Sequence, residues 1–520
     1  MKRVLCATAL ALLVLTTHAQ VADSAAKPVK EDKLQQAAVA ADLSSKGKYA
    51  EALSAADQVL AASPDSPDLL QQKVVALLGL GRNMEALRIA VPAAGKFTDR
   101  PVFRFQAGQA AAAMGMMPEA VRMWAALYAN PQWGNLAYCS AATSLIAVGR
   151  EDEAKKLMDE ALAKIPNPSV GLLLRYLQTH ETAEEGMKIA ERLAQIDPAN
   201  KADYESLRLV YAAVGSGPLN EVVPPEKLPA VVSLKEKSEI VDMSSLTWGG
   251  DSTASVSTST SVVVPVSFNG GKEKLMVLDS GSDAVLVSPD LVKELALQPV
   301  STAEYIGMGY KGARPSNWVI LKTVKLGSLT VKNVPAMVID KKSDFWKDIS
   351  GIIPIRLLKD FALLYDRRKG KLGLYPSGTK PEEAMGPGTF VVKSLWFGGR
   401  PFVATTIQNK PDAFCLLDTG STKTFIASER VKELGIKLNS SRYESQQVLG
   451  LSGALQVGVA DDVTLLLGSA RIKMPAVHVT PVGSVEMLDC YGLLGRTVLD
   501  LFAMWFDYRT NTVAFRDYDK

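Results

Sequence analysis

The second half of the chain repeats itself. Leu275-Met276-Val277-Leu278-Asp279-Ser280-Gly281-Ser282 is matched by Phe414-Cys415-Leu416-Leu417-Asp418-Thr419-Gly420-Ser421 at an offset of 139 residues (279 to 418), which holds without a gap as far as Val292-Lys293-Glu294-Leu295 and Val431-Lys432-Glu433-Leu434. A second pair follows at an offset of 141 (351 to 492). Gly351-Ile352-Ile353-Pro354 precedes the run Phe361 to Arg368, and Gly492-Leu493-Leu494-Gly495-Arg496 precedes Phe502 to Arg509. Two lobes of similar length therefore carry the same landmarks in the same order. From Val262 onward, short β-branched runs alternate with Gly, Asn and Pro turns, so both lobes read as all-β.

The first half has a different period. Gly47-Lys48-Tyr49-Ala50-Glu51-Ala52-Leu53 recurs as Gly81-Arg82-Asn83-Met84-Glu85-Ala86-Leu87, Gly115-Met116-Met117-Pro118-Glu119-Ala120-Val121 and Gly149-Arg150-Glu151-Asp152-Glu153-Ala154-Lys155, each 34 residues after the last. A glycine suits the left-handed end of one helix. The Glu-Ala pair suits the start of the next, with the acid at the positive helix end. Pro64, Pro131 and Pro166 fall where second helices should stop. The period resembles that of the tetratricopeptide repeats, although most aromatic consensus positions are missing. The resemblance covers roughly 34–200, with a degenerate last unit from Glu184 to Pro198. It implies a concave surface for peptides or proteins, the alternative being an array that only supports its neighbour.

The expected organisation is a signal peptide over 1–19, a helical repeat domain over 34–213, a linker over 214–260, and β lobes over 261–378 and 390–520. Lys2 and Arg3 precede the apolar run Val4 to Leu15, and Thr17-His18-Ala19 offers a cleavage site; an uncleaved anchor is the alternative. The mature protein is expected outside the cytoplasm, periplasmic or secreted, with no transmembrane segment once the signal is removed. The linker is read from Gly215-Ser216-Gly217-Pro218, Pro224-Pro225 and the Ser/Thr-rich stretch 252–261. A composition of 47% hydrophobic and 22% charged residues suits several globular cores. A net charge of +3 without a dense basic block gives no reason to expect a nucleic-acid partner.

The landmarks of the duplicated half resemble the pepsin and retropepsin aspartic proteases. Apolar-apolar-Asp-Ser/Thr-Gly is that family's active-site loop, and the later apolar-apolar-Gly segment is its crossing strand. Gly495-Arg496 is similar to the retropepsin form. The resemblance covers about 260–520 and implies one catalytic aspartate per lobe, Asp279 and Asp418. Two carboxylates sharing a proton supply both the base that activates water and the acid that polarises the carbonyl. Gly281 and Gly420 allow tight turns beside the carboxylates. The hydroxyls of Ser280 and Thr419 are expected to hold the two loops together. Those of Ser282 and Ser421 are expected to donate to the outer carboxylate oxygens, which lowers the pKa and favours an acidic optimum. A flap is expected from Tyr305 to Asn317 in lobe one, with Gly309 and Tyr310, and around Gly450 in lobe two. The partner implied is a peptide or protein substrate, cleaved by an endopeptidase or gripped by an inactive scaffold.

One position departs from the pattern. Lobe one has Pro354 where lobe two has Gly495, and a proline has no N–H and restricts the backbone. Lobe one is therefore expected to deviate behind its loop. Other signals are set aside. Gly307-Met308-Gly309-Tyr310-Lys311-Gly312 fits GxGxxG, but a dinucleotide site needs strand, turn and helix. His180 and His478 fall in different domains without metal-ligand spacing, so no metal or other cofactor is expected. Cys139, Cys415 and Cys490 read as buried thiols, with a Cys415–Cys490 disulfide as the alternative.

Overall fold

The computed structural model describes residues 28–179, 182–215, 217–242, 256–305, 314–339, 348–439, 447–450, 453–481 and 487–518. The signal-peptide residues, Gly309 and Tyr310 lie outside them. The chain is an N-terminal helical repeat followed by two β lobes. It divides into two compact units, one containing 10–176 and the other running from 177 to 483 and from 490 to 520.

Eleven helices precede the lobes: α1 (Pro28–Ser45), α2 (Tyr49–Leu60), α3 (Pro67–Gly79), α4 (Asn83–Lys96), α5 (Val102–Ala113), α6 (Met117–Ala125), α7 (Gly134–Ala147), α8 (Glu151–Lys164), α9 (Val170–Thr179), α10 (Ala183–Ile196) and α11 (Lys201–Val214). The four repeat glycines all adopt the left-handed conformation, with φ of +74°, +70°, +71° and +75°. In each case the following N–H reaches back five residues, as from Lys48 to the Leu43 carbonyl and from Arg150 to the Leu145 carbonyl, both 2.9 Å. These bonds satisfy helix-end carbonyls that would otherwise be orphaned. The cation after the glycine pairs with the glutamate of the next turn, Lys48–Glu51 at 3.2 Å and Arg82–Glu85 at 2.6 Å. Those pairs are exposed and contribute little.

The helices approach one another through glycines facing aromatic rings. A Cβ on Gly79 would lie 2.4 Å from the Tyr49 ring, one on Gly108 2.3 Å from Trp124 Nε1, and one on Gly186 2.3 Å from the Tyr211 ring. Trp124 is wholly buried, and its Nε1 donates to the Phe105 carbonyl at 3.1 Å. These aromatics lie off the consensus spacing, which is why the sequence pattern looked aromatic-poor.

The lobes are built alike. In lobe one the strand Glu273–Asp279 pairs antiparallel with Val256–Phe268 and parallel with the crossing strand Gly351–Pro354. In lobe two Lys410–Leu417 pairs antiparallel with Arg400–Ile407 and parallel with Gly492–Leu494. A six-stranded sheet joins the lobes. At its centre Phe361–Asp366 of lobe one runs antiparallel to Phe502–Asp507 of lobe two, with Leu363 opposite Phe506. One hydrophobic core draws on both lobes, from Val232 and Val264 to Phe502 and Phe515.

Two expectations need correction. The stretch read as a linker is largely strand: Glu221–Val223 pairs with Leu329–Val338, Ala230–Ser233 joins the six-stranded sheet through Lys371–Pro376, and Lys235–Asp242 pairs with Val256–Phe268. Its alternating Val and Ser or Lys residues suit half-buried strands, and the prolines only separate them. Pro354 also causes no break. It stays in parallel register opposite Asp279, and the chain continues into a 3₁₀ turn, Ile355–Leu358. A strand's terminal residue can lose its N–H without losing the ladder.

Helix α11 packs with lobe one, where Ser206 Oγ donates to the Thr302 carbonyl at 2.7 Å. The close glycine–aromatic contacts give a test of the helical packing. Gly108→Ala is expected to destabilise the helical unit by about 1–3 kcal/mol, because Trp124 must move. Gly95→Ala in α4, where a Cβ meets nothing within 4 Å, should be neutral or stabilising by up to about 1 kcal/mol. Urea unfolding of both variants checks the contrast.

Candidate active site

Each active-site loop begins where its strand ends. The apolar runs ending at Leu278 and Leu417 bury the strand, and Ser/Thr-Gly then turns the chain so that the aspartate faces the other lobe. Asp279 and Asp418 are brought together; they are 8% and 9% exposed and share a side-chain hydrogen bond. Two carboxyls so placed must hold a proton between them.

The two loops are bound reciprocally. Thr419 Oγ1 donates to the Leu278 carbonyl at 2.8 Å and accepts from Ser280 N–H at 3.0 Å. Ser280 Oγ donates to the Leu417 carbonyl at 2.7 Å and accepts from Thr419 N–H at 3.0 Å. All four groups are buried, where such bonds are hard to replace by water. The glycines are crossed as well. A Cβ on Gly281 would lie 2.6 Å from Asp418 Cγ, and one on Gly420 2.6 Å from Asp279 Cγ. Each glycine is thus the floor beneath the opposite lobe's carboxyl.

The backbone supplies donors to one oxygen of each aspartate. Asp279 Oδ1 accepts from Gly281 N–H at 2.7 Å and Ser282 N–H at 3.1 Å. Asp418 Oδ1 accepts from Gly420 and Ser421 N–H, both at 3.0 Å. The hydroxyls of Ser282 and Ser421 do not do what the sequence suggested. They donate to loop carbonyls two residues on, Ala284 at 3.0 Å and Lys423 at 2.9 Å. The amides already occupy Oδ1, and the short side chains close their own turns instead.

Burial pushes both carboxyls up. Asp418 rises well above the ordinary carboxylate range, because burial is joined by the Asp279 charge facing it and by the bond between them, which is donated from its side. Asp279 is raised by burial and by the Asp283 charge, while the amides of Gly281 and Ser282 and the bond from Asp418 hold it down. Asp418 is thus the protonated member and Asp279 the ionised one. Asp283, and the carbonyls of Leu278 and Leu417, were not singled out from the sequence. The carbonyls could have been: they immediately precede the duplicated aspartates.

Of the flap residues, Gly450 ends a strand, Gln447–Gly450, that pairs with Gly453–Gln456 in a hairpin. In lobe one Ser301–Tyr305 pairs with Arg314–Leu326, Tyr305 opposite Arg314. Strand therefore lies on both sides of the GxGxxG segment, without the helix a dinucleotide site requires. His478 lies in the strand Ala470–Thr480 against Phe425. Cys415 and Cys490 are buried free thiols, and burial lifts Cys490 to about 11, so it carries little thiolate at neutral pH.

A sequence model described as aspartyl protease matches residues 264–353 and 403–498, one segment per lobe. The second half of the chain is an aspartyl-protease-like domain. Among solved structures, the aspartic proteinase from Irpex lacteus matches with 13% identity and a TM-score of 0.32, covering 54% of this chain and 97% of that one. A thermophilic TPR protein from Thermus thermophilus matches with 18% identity and a TM-score of 0.28, covering 35% of this chain and 97% of that one. No curated protein matches the chain.

The raised pKa of the protease-like domain's Asp418 has a consequence for stability. A group whose folded pKa is raised stabilises fully below its unfolded pKa, and that stability is lost as pH rises through the folded value. Asp418→Asn removes the buried charge. It is expected to unfold at a higher temperature than the parent at pH 7, with the gap closing below about pH 4, where the parent carboxyls are protonated in both states. Thermal unfolding at the two pH values measures the gap; one that does not change with pH contradicts the assignment.

Proposed function

We propose that this chain is an exported aspartic endopeptidase whose helical repeats engage protein substrates or partners. The observation that carries the reading is the hydrogen-bonded pair of buried carboxyls, Asp279 and Asp418, each braced by amides of its own loop and by the other lobe's glycine. Export rests on Lys2, Arg3 and the apolar run that follows them.

The pair is equipped to hydrolyse an amide without metal or covalent intermediate. Asp279 takes a proton from a water lying between the carboxyls and the substrate carbonyl. The water oxygen bonds to the carbonyl carbon while Asp418 gives its proton to the carbonyl oxygen, forming a gem-diol. In the second step a diol hydroxyl returns a proton to the now ionised Asp418, and protonated Asp279 gives its proton to the amide nitrogen. The C–N bond breaks, releasing an acid and an amine with the original protonation state restored. The two aspartates exchange roles within each turnover, and the low-dielectric site strengthens every one of these interactions.

Activity requires one proton on the pair. Losing it sets the alkaline limb, which burial and the Asp279 charge hold above ordinary carboxyl values; protonating Asp279 sets the acid limb, which burial also raises. A bell-shaped profile on the acidic side of neutrality is expected, with both limbs above about pH 4. Digestion of denatured casein by residues 20–520 from pH 3 to 8 tests this beside Asp279→Asn and Asp418→Asn. Each variant should lose at least about 10³-fold in kcat. Cleavage surviving both substitutions would remove the site assignment. Pepstatin-insensitive binding without cleavage by the parent would return the chain to the scaffold reading.

A further inference from the structure

The two active-site loops are alike in sequence but are anchored by different chemistry. In lobe two the end of the crossing strand is tied to the loop at several points. Asp418 N–H donates to the Leu494 carbonyl at 3.0 Å, and Arg496 N–H donates to the Ser421 carbonyl at 2.9 Å. Between them, Gly495 N–H donates to Thr424 Oγ1 at 3.1 Å. Thr497 Oγ1 donates to the same hydroxyl at 2.7 Å and accepts from Thr424 N–H at 3.1 Å. Thr424 is 3% exposed, so water does not stand in for these partners.

Lobe one cannot make this arrangement. At the same offsets Val285 replaces Thr424, Pro354 replaces Gly495 and Arg356 replaces Thr497. The N–H and the hydroxyl that accepts it are lost together, so no buried group is orphaned. The loop there rests on apolar packing of Val285, Ile353 and Ile355, all under 5% exposed. Lobe two is also tighter: a Cβ on Gly495 would lie 2.0 Å from the Lys423 carbonyl oxygen and 2.9 Å from that of Ser421. Only glycine admits that approach, and Pro354 excludes its equivalent in lobe one.

We propose that Thr424, seconded by Thr497, is a positioning residue that locks the Asp418 loop through Gly495, and that the Asp279 loop has no such lock. Asp418 is then the fixed member of the pair and Asp279 the adjustable one. Directional bonds fix a loop in one geometry, whereas apolar packing tolerates small shifts. The lock acts on the chemistry through Ser421. The Ser421 carbonyl is held by Arg496 and its amide holds Asp418 Oδ1, so a loosened loop weakens the donors that restrain the Asp418 pKa. The catalytic consequence rests on the function proposed above; the mechanical one does not.

Hydrogen exchange and kinetics on the full chain separate the two. In the parent, amides of 279–285 should exchange faster than those of 418–424. Thr424→Val should speed exchange in 418–424 by at least about tenfold, the order expected for losing a buried hydrogen bond, and leave 279–285 unchanged. Thr424→Ser keeps the hydroxyl and should restore the parent rate. In turnover, Thr424→Val should lower kcat at least about tenfold with KM changed less than about twofold, and move the alkaline limb upward; Thr424→Ser should reverse both. If Thr424→Val does not fold, Thr497→Val removes one tie and carries the same expectations. Equal exchange of the two loops in the parent overturns the proposal, as does equal exchange in the Val and Ser variants. A parent that cleaves nothing removes the function instead, while the exchange data still decide the lock.

Discussion

The four hydrogen bonds between Ser280 and Thr419 and the backbones of the opposite lobes are what the rest of the site depends on. Two aspartates in direct contact repel each other unless they share a proton, and nothing about the carboxyls alone would keep them close. The hydroxyl ties set the spacing instead. They are fully buried and use short side chains whose torsions are fixed by the turn. Once the loops are bound, the crossed glycines make the contact close, the amides choose which oxygens are braced, and burial leaves a single proton to be shared. The shared core and the six-stranded sheet hold the lobes to which these loops belong.

The helical half follows another logic. It has no comparable polar knot among its described residues, and its geometry comes from glycines used in two ways. Those at helix ends turn the chain through a left-handed residue and let the next N–H cap the helix behind it. Those within helices make room for a neighbouring aromatic ring. Both depend on the missing side chain, one for conformational freedom and the other for volume.

Much of this was legible in the sequence, and the reasons differ from feature to feature. The 34-residue period and the duplicated Asp-Ser/Thr-Gly loops were readable because repeated landmarks carry information that a single motif lacks. The reciprocal ties of Ser280 and Thr419 were also foreseen, since a hydroxyl beside each aspartate has few other uses at a two-lobed interface. The hydroxyls of Ser282 and Ser421 were assigned the wrong acceptors. Spacing places them beside the carboxylates, but it does not register that the backbone amides arrive there first. The strands of 221–242 were mistaken for linker because prolines and glycines punctuate them, and punctuation says nothing about whether a distant sheet has an edge to offer. The inequivalence of the two loops was present in the alignment of Val285 with Thr424, but it acquires meaning only when Gly495 N–H is seen to need that hydroxyl.

The strand Ala230–Ser233 carries a further consequence, concerning where this chain could be shortened. It lies at one edge of the sheet that joins the lobes, paired with Lys371–Pro376, although it precedes both lobes in sequence. Glu221–Val223 and Lys235–Asp242 add to the sheet of lobe one in the same way. A processing event at the start of the duplicated region, near residue 260, would strip three strands and leave the lobe-joining sheet with a raw edge. The helical region and the lobes thus have no clean seam at the point where the sequence changes character. A mature form that sheds the repeats while keeping both sheets whole must retain everything from residue 221 onward.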